Sequence, residues 1–102
     1  MIRNRLHNRR THEVFAFTFR GLSYTAGVGR FDDGALAEIF IDCAKGSTPV
    51  AADARDAAVT LSIALQHGVP PEAIRAAVTR ESDGSASGIV GAVLDLLAEN
   101  SR

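Results

Sequence analysis

Residues 53–71 read DARDAAVTLSIALQHGVPP. Ala54, Ala58, Leu61 and Leu65 recur at i, i+4, i+7 and i+11, and Ala57 and Ala64 flank the stripe they make. That is a helical period with one apolar face. Upstream, Thr48-Pro49 supplies an N-cap and a first-turn proline. Asp53 and Asp56 lie toward the positive end of the helix dipole. Downstream, Gly68 is placed to end the helix in the left-handed conformation, and Pro70-Pro71 forbid its continuation. A buried stripe rich in alanine lets the backbone come close to its neighbour. The spacing therefore predicts a central helix lying on a sheet.

The sheet is read from the residues before it. Residues 13–20 alternate in period two, with Phe15, Phe17 and Phe19 on one face and Val14, Ala16, Thr18 and Arg20 on the other. Gly21 opens a tight turn. Residues 22–30 alternate again, with Leu22, Tyr24, Ala26 and Val28 on one side. Gly27 and Gly29 weaken this strand and predict a bulge or a close neighbour. Phe31-Asp32-Asp33-Gly34 carries Asp-Gly hairpin chemistry. Residues 35–43 form a third strand, whose cleaner apolar face is Ala37, Ile39, Ile41 and Cys43; Glu38 falls on the other face. After the central helix, residues 71–79 predict a short helix with Ile74, Ala77 and Val78 as its stripe. A polar loop follows to Gly88. Residues 88–99 predict a third helix that buries Ile89, Val90, Val93, Leu94 and Leu97. Gly88 and Gly91 are each costly near or inside a helix, by about 1 kcal/mol against alanine, and point to a close approach. The order predicts an α+β fold: a three-stranded antiparallel meander followed by three helices packed on one face. Residues 1–12 read as a basic N-terminal arm and residues 13–99 as one domain. A small sheet with apolar residues on both faces predicts a homodimer.

At 102 residues the chain is one domain with room for one core. Its 46% apolar and 23% charged residues are ordinary for a globular protein. A net charge of -1 excludes a broadly basic nucleic-acid binder. Arg3, Arg5, Arg9 and Arg10 nevertheless precede the first acid, Glu13, so the arm is a candidate nucleic-acid or partner contact, without the interleaved aromatics that would strengthen it. The lone cysteine, Cys43, excludes an internal disulfide and fits a reducing, cytoplasmic setting; its bland reading is a small buried hydrophobe. No apolar run approaches the ~20 residues of a membrane span, and the start lacks a secretory apolar region.

The chemistry-bearing residues are few. Lys45-Gly46-Ser47 before a helix start resembles an anion site, although it lacks P-loop spacing, and plain capping explains it as well. Arg55 stands against the helix dipole and so calls for a partner, either Glu38 or a bound anion. Arg80, with Gly84 and Gly88 beside it, completes a candidate anion or nucleotide set of Lys45, Ser47, Arg55, Arg80, Gly84 and Gly88. His67, near the end of the central helix, reads as dipole stabilisation or packing. There is no His-x-x-x-His, no Cys-x-x-Cys and no nucleophile elbow, so no catalytic residue, metal ligand or cofactor is expected.

Several segments carry a resemblance: Asn8-Arg9-Arg10, residues 29–34 (GRFDDG), Ala37-Glu38-Ile39-Phe40, Ala54-Arg55-Asp56-Ala57, Thr79-Arg80 with Asp83-Gly84, and above all ALQHGVP at residues 64–70. Together they resemble the TSCPD domain, found at the C-terminus of adenosylcobalamin-dependent (class II) ribonucleotide reductases and as small stand-alone proteins. The likeness spans about Asn8 to Leu97. The motif Thr-Ser-Cys-Pro-Asp itself is absent; Ser85-Ala86-Ser87-Gly88-Ile89 occupies the region, so no thiol or metal role carries over. The resemblance implies an accessory or regulatory module linked to ribonucleotide reduction, acting through protein-protein contacts, with a reductase subunit as a candidate partner. The alternatives are a small-anion or nucleotide-binding module, or nucleic-acid contact through the basic N-terminal arm.

Overall fold

The computed structural model describes Arg3 and residues 12–100. β1 (His12–Phe19), β2 (Leu22–Arg30) and β3 (Leu36–Cys43) are followed by α1 (Pro49–Gln66), α2 (Pro71–Ala77) and α3 (Ile89–Glu99). The three strands form one antiparallel sheet in the order β1-β2-β3. This is the α+β arrangement that the alternation and the helical spacing predict. The remaining arginines of the basic arm, Arg5, Arg9 and Arg10, lie outside the described residues.

Turn chemistry sets the register. Arg20 and Gly21 both take positive φ, 52° and 77°, which is the two-residue turn whose twist matches antiparallel strands. Arg20 therefore belongs to the turn and not to the strand that simple alternation assigns it. A non-glycine residue is strained there, and its side chain is held: the guanidinium donates to the Ser87 carbonyl at 2.9 Å and lies 5.5 Å from the centre of the Phe19 ring. The bulge expected near the glycines of β2 falls between Gly29 and Arg30.

The period-two pattern sorts the faces. Tyr24, Ala26 and Val28 of β2 and Ala37, Ile39, Ile41 and Cys43 of β3 are buried on the inner face. They pack against Ala51, Ala54, Ala58, Leu61 and Leu65 of α1 and Val93, Leu94 and Leu97 of α3. Phe15, Phe17 and Phe19 of β1 share that face but stay partly buried at the sheet's edge. The α1 termini follow the local code. The Thr48 hydroxyl accepts from the Ala51 N–H at 3.2 Å, and Gly68 takes φ 90° just past the helix. His67 is the C-cap, one step beyond the last helical residue.

The other sheet edge, β3, is covered by side chains of α1. The Ile39 N–H donates to Ser62 Oγ at 2.8 Å, and the same hydroxyl donates back to the Ile39 carbonyl at 3.0 Å. Two residues along, Gln66 Nε2 donates to the Ala37 carbonyl at 3.0 Å. Gln66 is buried, and its Oε1 accepts from Arg3 Nε at 2.5 Å. Ser62→Ala leaves both Ile39 groups without a partner. The expected loss is about 1–3 kcal/mol of unfolding free energy, read by urea titration; a loss below about 0.5 kcal/mol would mean that water replaces the hydroxyl in full.

Candidate functional site

Two turns share one construction. In residues 30–35, the Phe31 N–H donates to the Ala35 carbonyl, the Gly34 N–H to the Phe31 carbonyl and the Ala35 N–H to Asp33 Oδ1, each at 2.9 Å. In residues 80–85, the Glu81 N–H donates to the Ser85 carbonyl at 2.8 Å; the Gly84 N–H reaches the Glu81 carbonyl and the Ser85 N–H reaches Asp83 Oδ1, both at 2.9 Å. Gly34 and Gly84 take φ 89° and 90°, which glycine adopts without strain. Arg30 pairs with Leu36 across the first turn, and Arg80 with Ala86 across the second. Each arginine also donates Nη1 to its own glycine carbonyl, at 2.9 Å and 3.2 Å. The pattern Arg-x-x-Asp-Gly thus appears twice, at residues 30–34 and 80–84.

Each of these arginines is anchored on an acid from another element. Arg30 Nε donates to Glu13 Oε1 at 2.6 Å. Arg80 grips Asp95 of α3 through both terminal nitrogens, at 2.7 Å and 2.8 Å, and also donates to the Arg75 carbonyl at 3.1 Å. Arg75 of α2 donates Nε to the same Asp95 at 2.7 Å. One carboxylate therefore serves two guanidiniums, and the bidentate geometry is the strong kind. The Arg80 hydrogen bonds, helped by those of Arg75, hold the Asp95 carboxyl down at about 2 against partial burial. Asp83 also lies below its ordinary value, because the Ser85 hydroxyl and N–H donate to it.

The first turn, α2 and α3 enclose a cleft of about 360 Å³. Arg30 and Arg75 line it together with Glu72, over a floor that includes Leu36, Leu94 and Leu97. A second groove, about 400 Å³, runs between β3 and α1, with Phe40, Val59 and Ile63 among its walls. It opens onto the outer face of the sheet. There Val14, Gly27 and Phe40 stand in one cross-strand row, and the Phe40 ring covers the space that a Cβ on Gly27 would enter, 3.6 Å away. Val14, Phe40, Val59 and Ile63 are 69%, 46%, 58% and 40% exposed. No helix among the described residues lies over that face.

The chain is similar to part of a ribonucleotide reductase. Seventy of its residues are 37% identical to the vitamin B12-dependent ribonucleotide reductase of Agrobacterium fabrum (strain C58), which is 69% of this chain and 6% of that protein. No family model and no solved structure matches. So small a share of a catalytic reductase does not make this domain catalytic. Among the described residues, no three His, Cys, Asp or Glu side chains gather as a metal site, and no helix is long and apolar enough to cross a membrane.

The residues singled out from sequence fall in two places. Lys45 and Ser47 are exposed on the β3–α1 connection, and Arg55 reaches back to the Gly46 carbonyl between them at 3.4 Å. That carbonyl is the hydrogen-bond partner of Arg55 among the described residues. The Lys45 carbonyl accepts from the Thr48 N–H and hydroxyl, so this turn serves as a helix cap. Arg80, Gly84 and Gly88 sit on the α2–α3 loop, where the Arg80 guanidinium is spent on Asp95 and on carbonyls of the chain. Gly88 is the exposed N-cap of α3. No hydrogen bond or ion pair among the described residues joins the two groups. Arg3 rests on Gln66. Sequence reasoning missed Asp95 altogether. The doubled Arg-x-x-Asp-Gly was the signal that could have led to it, because it marks Arg30 and Arg80 as equivalent and asks which acid each one holds.

Proposed function

We propose that this chain is a TSCPD-like, non-catalytic module of a B12-dependent ribonucleotide reductase system, working in the cytoplasm through contact with a reductase polypeptide. The observation that carries this reading is the apolar band from Val14 through Phe40 to Val59 and Ile63. A monomer gains nothing by leaving it in water, and bands of this kind mark interaction surfaces. The likeness to a stretch of a reductase supports a reductase polypeptide as the occupant. Polar groups border the band: His12 stacks on Phe40 with centroids 6.0 Å apart and faces Glu38, which gives the apolar centre a charged rim.

The test is co-purification of the domain with a B12-dependent reductase, wild type against Phe40→Asp. Phe40 is nearly half exposed, so aspartate there leaves the core intact. The expected result is capture by the wild type and at least a tenfold loss of affinity in the variant, since burying a phenylalanine contributes about 1.5–3 kcal/mol. A dimer in light scattering that Phe40→Asp dissociates, with no reductase captured, would assign the face to a second copy instead. Equal capture by both proteins would refute this use of the face.

A further inference from the structure

We infer that the cleft between the first Asp-Gly turn, α2 and α3 is a binding site for a small oxyanion, a carboxylate or phosphate ester, carried on an apolar body. Its place and chemistry are separate from the proposed docking face. Guanidiniums from two different elements, Arg30 and Arg75, line one cavity of about 360 Å³, a size within the range of small-molecule sites. Both are fixed from behind. Arg30 spends Nε on Glu13 and Nη1 on the Gly34 carbonyl, which leaves Nη2 without a partner among the described residues. Arg75 spends Nε on Asp95, which leaves both terminal nitrogens without a partner among the described residues. A guanidinium held through Nε loses little further freedom when its remaining donors bind an oxyanion, and its planar fork matches a carboxylate or phosphate.

Charge permits an anion without driving it. Arg75 and Arg80 share Asp95, which leaves one positive charge over, and Glu72 on the cleft wall offsets it, while Arg30 is already paired with Glu13. Glu72 is the acid that lines the same cavity, and it makes no bond with either arginine. Its negative charge limits affinity for a bare anion. The apolar lining sets the other half of the ligand: Leu36, Pro71 and Ala98 are only partly buried, over the buried Leu94 and Leu97, and a flat or short apolar group would cover them. A lone inorganic ion would leave that lining wet. The ligand is therefore expected to bind better as an ester or aryl acid than as free phosphate.

The probes are phenyl phosphate, benzoate and inorganic phosphate, titrated into the full chain and followed by amide chemical shifts. Saturable shifts at Gly34, Ala35, Leu36 and Glu72 are expected, with phenyl phosphate or benzoate binding at least fivefold more tightly than inorganic phosphate. Arg75→Gln should weaken binding about tenfold, while Arg80 keeps Asp95 paired. Glu72→Gln, an exposed change that carries no folding risk, should tighten it severalfold. Arg55→Ala should change nothing. No saturable shift with any probe, shifts centred on residues 45–47, or equal binding by wild type, Arg75→Gln and Glu72→Gln would each overturn the assignment.

Discussion

Asp95→Ala is expected to destabilise the domain by about 2–4 kcal/mol, read from denaturant midpoints. Breaking a buried ion pair by deleting one partner costs about 3–5 kcal/mol, because the other charge stays behind without compensation. Here the side chain is 26% exposed, so water recovers part of that, yet two guanidiniums lose their acid at once. The same group sets an acid limit. Its carboxyl is held at about 2 in the folded chain against 3.8 ordinarily. A depressed pKa contributes stability that is complete above the ordinary value and is lost as pH falls toward the folded one. The contribution is worth about 2 kcal/mol, and it fades between roughly pH 5 and pH 2. Asp95→Asn removes the titrating group. The stability difference between wild type and Asp95→Asn should therefore shrink by about 2 kcal/mol over that interval. A difference that stays constant with pH would show that Asp95 keeps the same affinity for protons in both states.

Gly91→Val is expected to cost about 2–3 kcal/mol. Gly91 is buried within α3, where the α2–α3 loop crosses the helix. A Cβ there would come within 3.0 Å of the Ala86 Cβ and 3.2 Å of Val78 Cγ2. Valine adds two more methyls in the same space. Ala86 is poorly placed to yield, because its partner across the bridge, Arg80, is clamped on Asp95. Gly91→Ala is the instructive control. It gains about 1 kcal/mol of helix propensity against one tight contact, so its net effect should lie within about 1 kcal/mol of zero. Hydrogen exchange at Glu81 and Ser87, whose N–H groups bond to Ser85 and Thr79, should accelerate in Gly91→Val before exchange in β2 does. Uniform acceleration would mean that the valine disturbs the whole core.

The fold was legible because its signals are local. Ala54, Ala58, Leu61 and Leu65 announce α1 by spacing alone, and all four are buried as that spacing requires. The period-two runs in β2 and β3 sort most of their buried residues for the same reason; the exception is Gly29, buried on the opposite face beside the bulge. The end of α2, which stops at Ala77 and not at residue 79, and the Arg20 turn were harder, since they depend on where a hydrogen bond stops and not on hydrophobic period. The cleft was not legible. Arg30, Arg75 and Leu94 come from three elements, and only packing brings them together. Gly91 is the point of close approach that its cost in a helix predicts; around Gly88, where the same cost predicts the same, the structure leaves open space. Spacing says that a glycine is unusual, but its neighbours across the fold decide why.

The clasp of Ser62 on Ile39 has a bearing on colloidal behaviour. An uncovered edge strand is a growth point for strand-by-strand stacking, the route by which small β domains polymerise. By spending the Ile39 amide and carbonyl within the molecule, α1 acts as a built-in stopper on β3. The domain can therefore present a sticky sheet face to a partner at high concentration without that edge seeding a fibril.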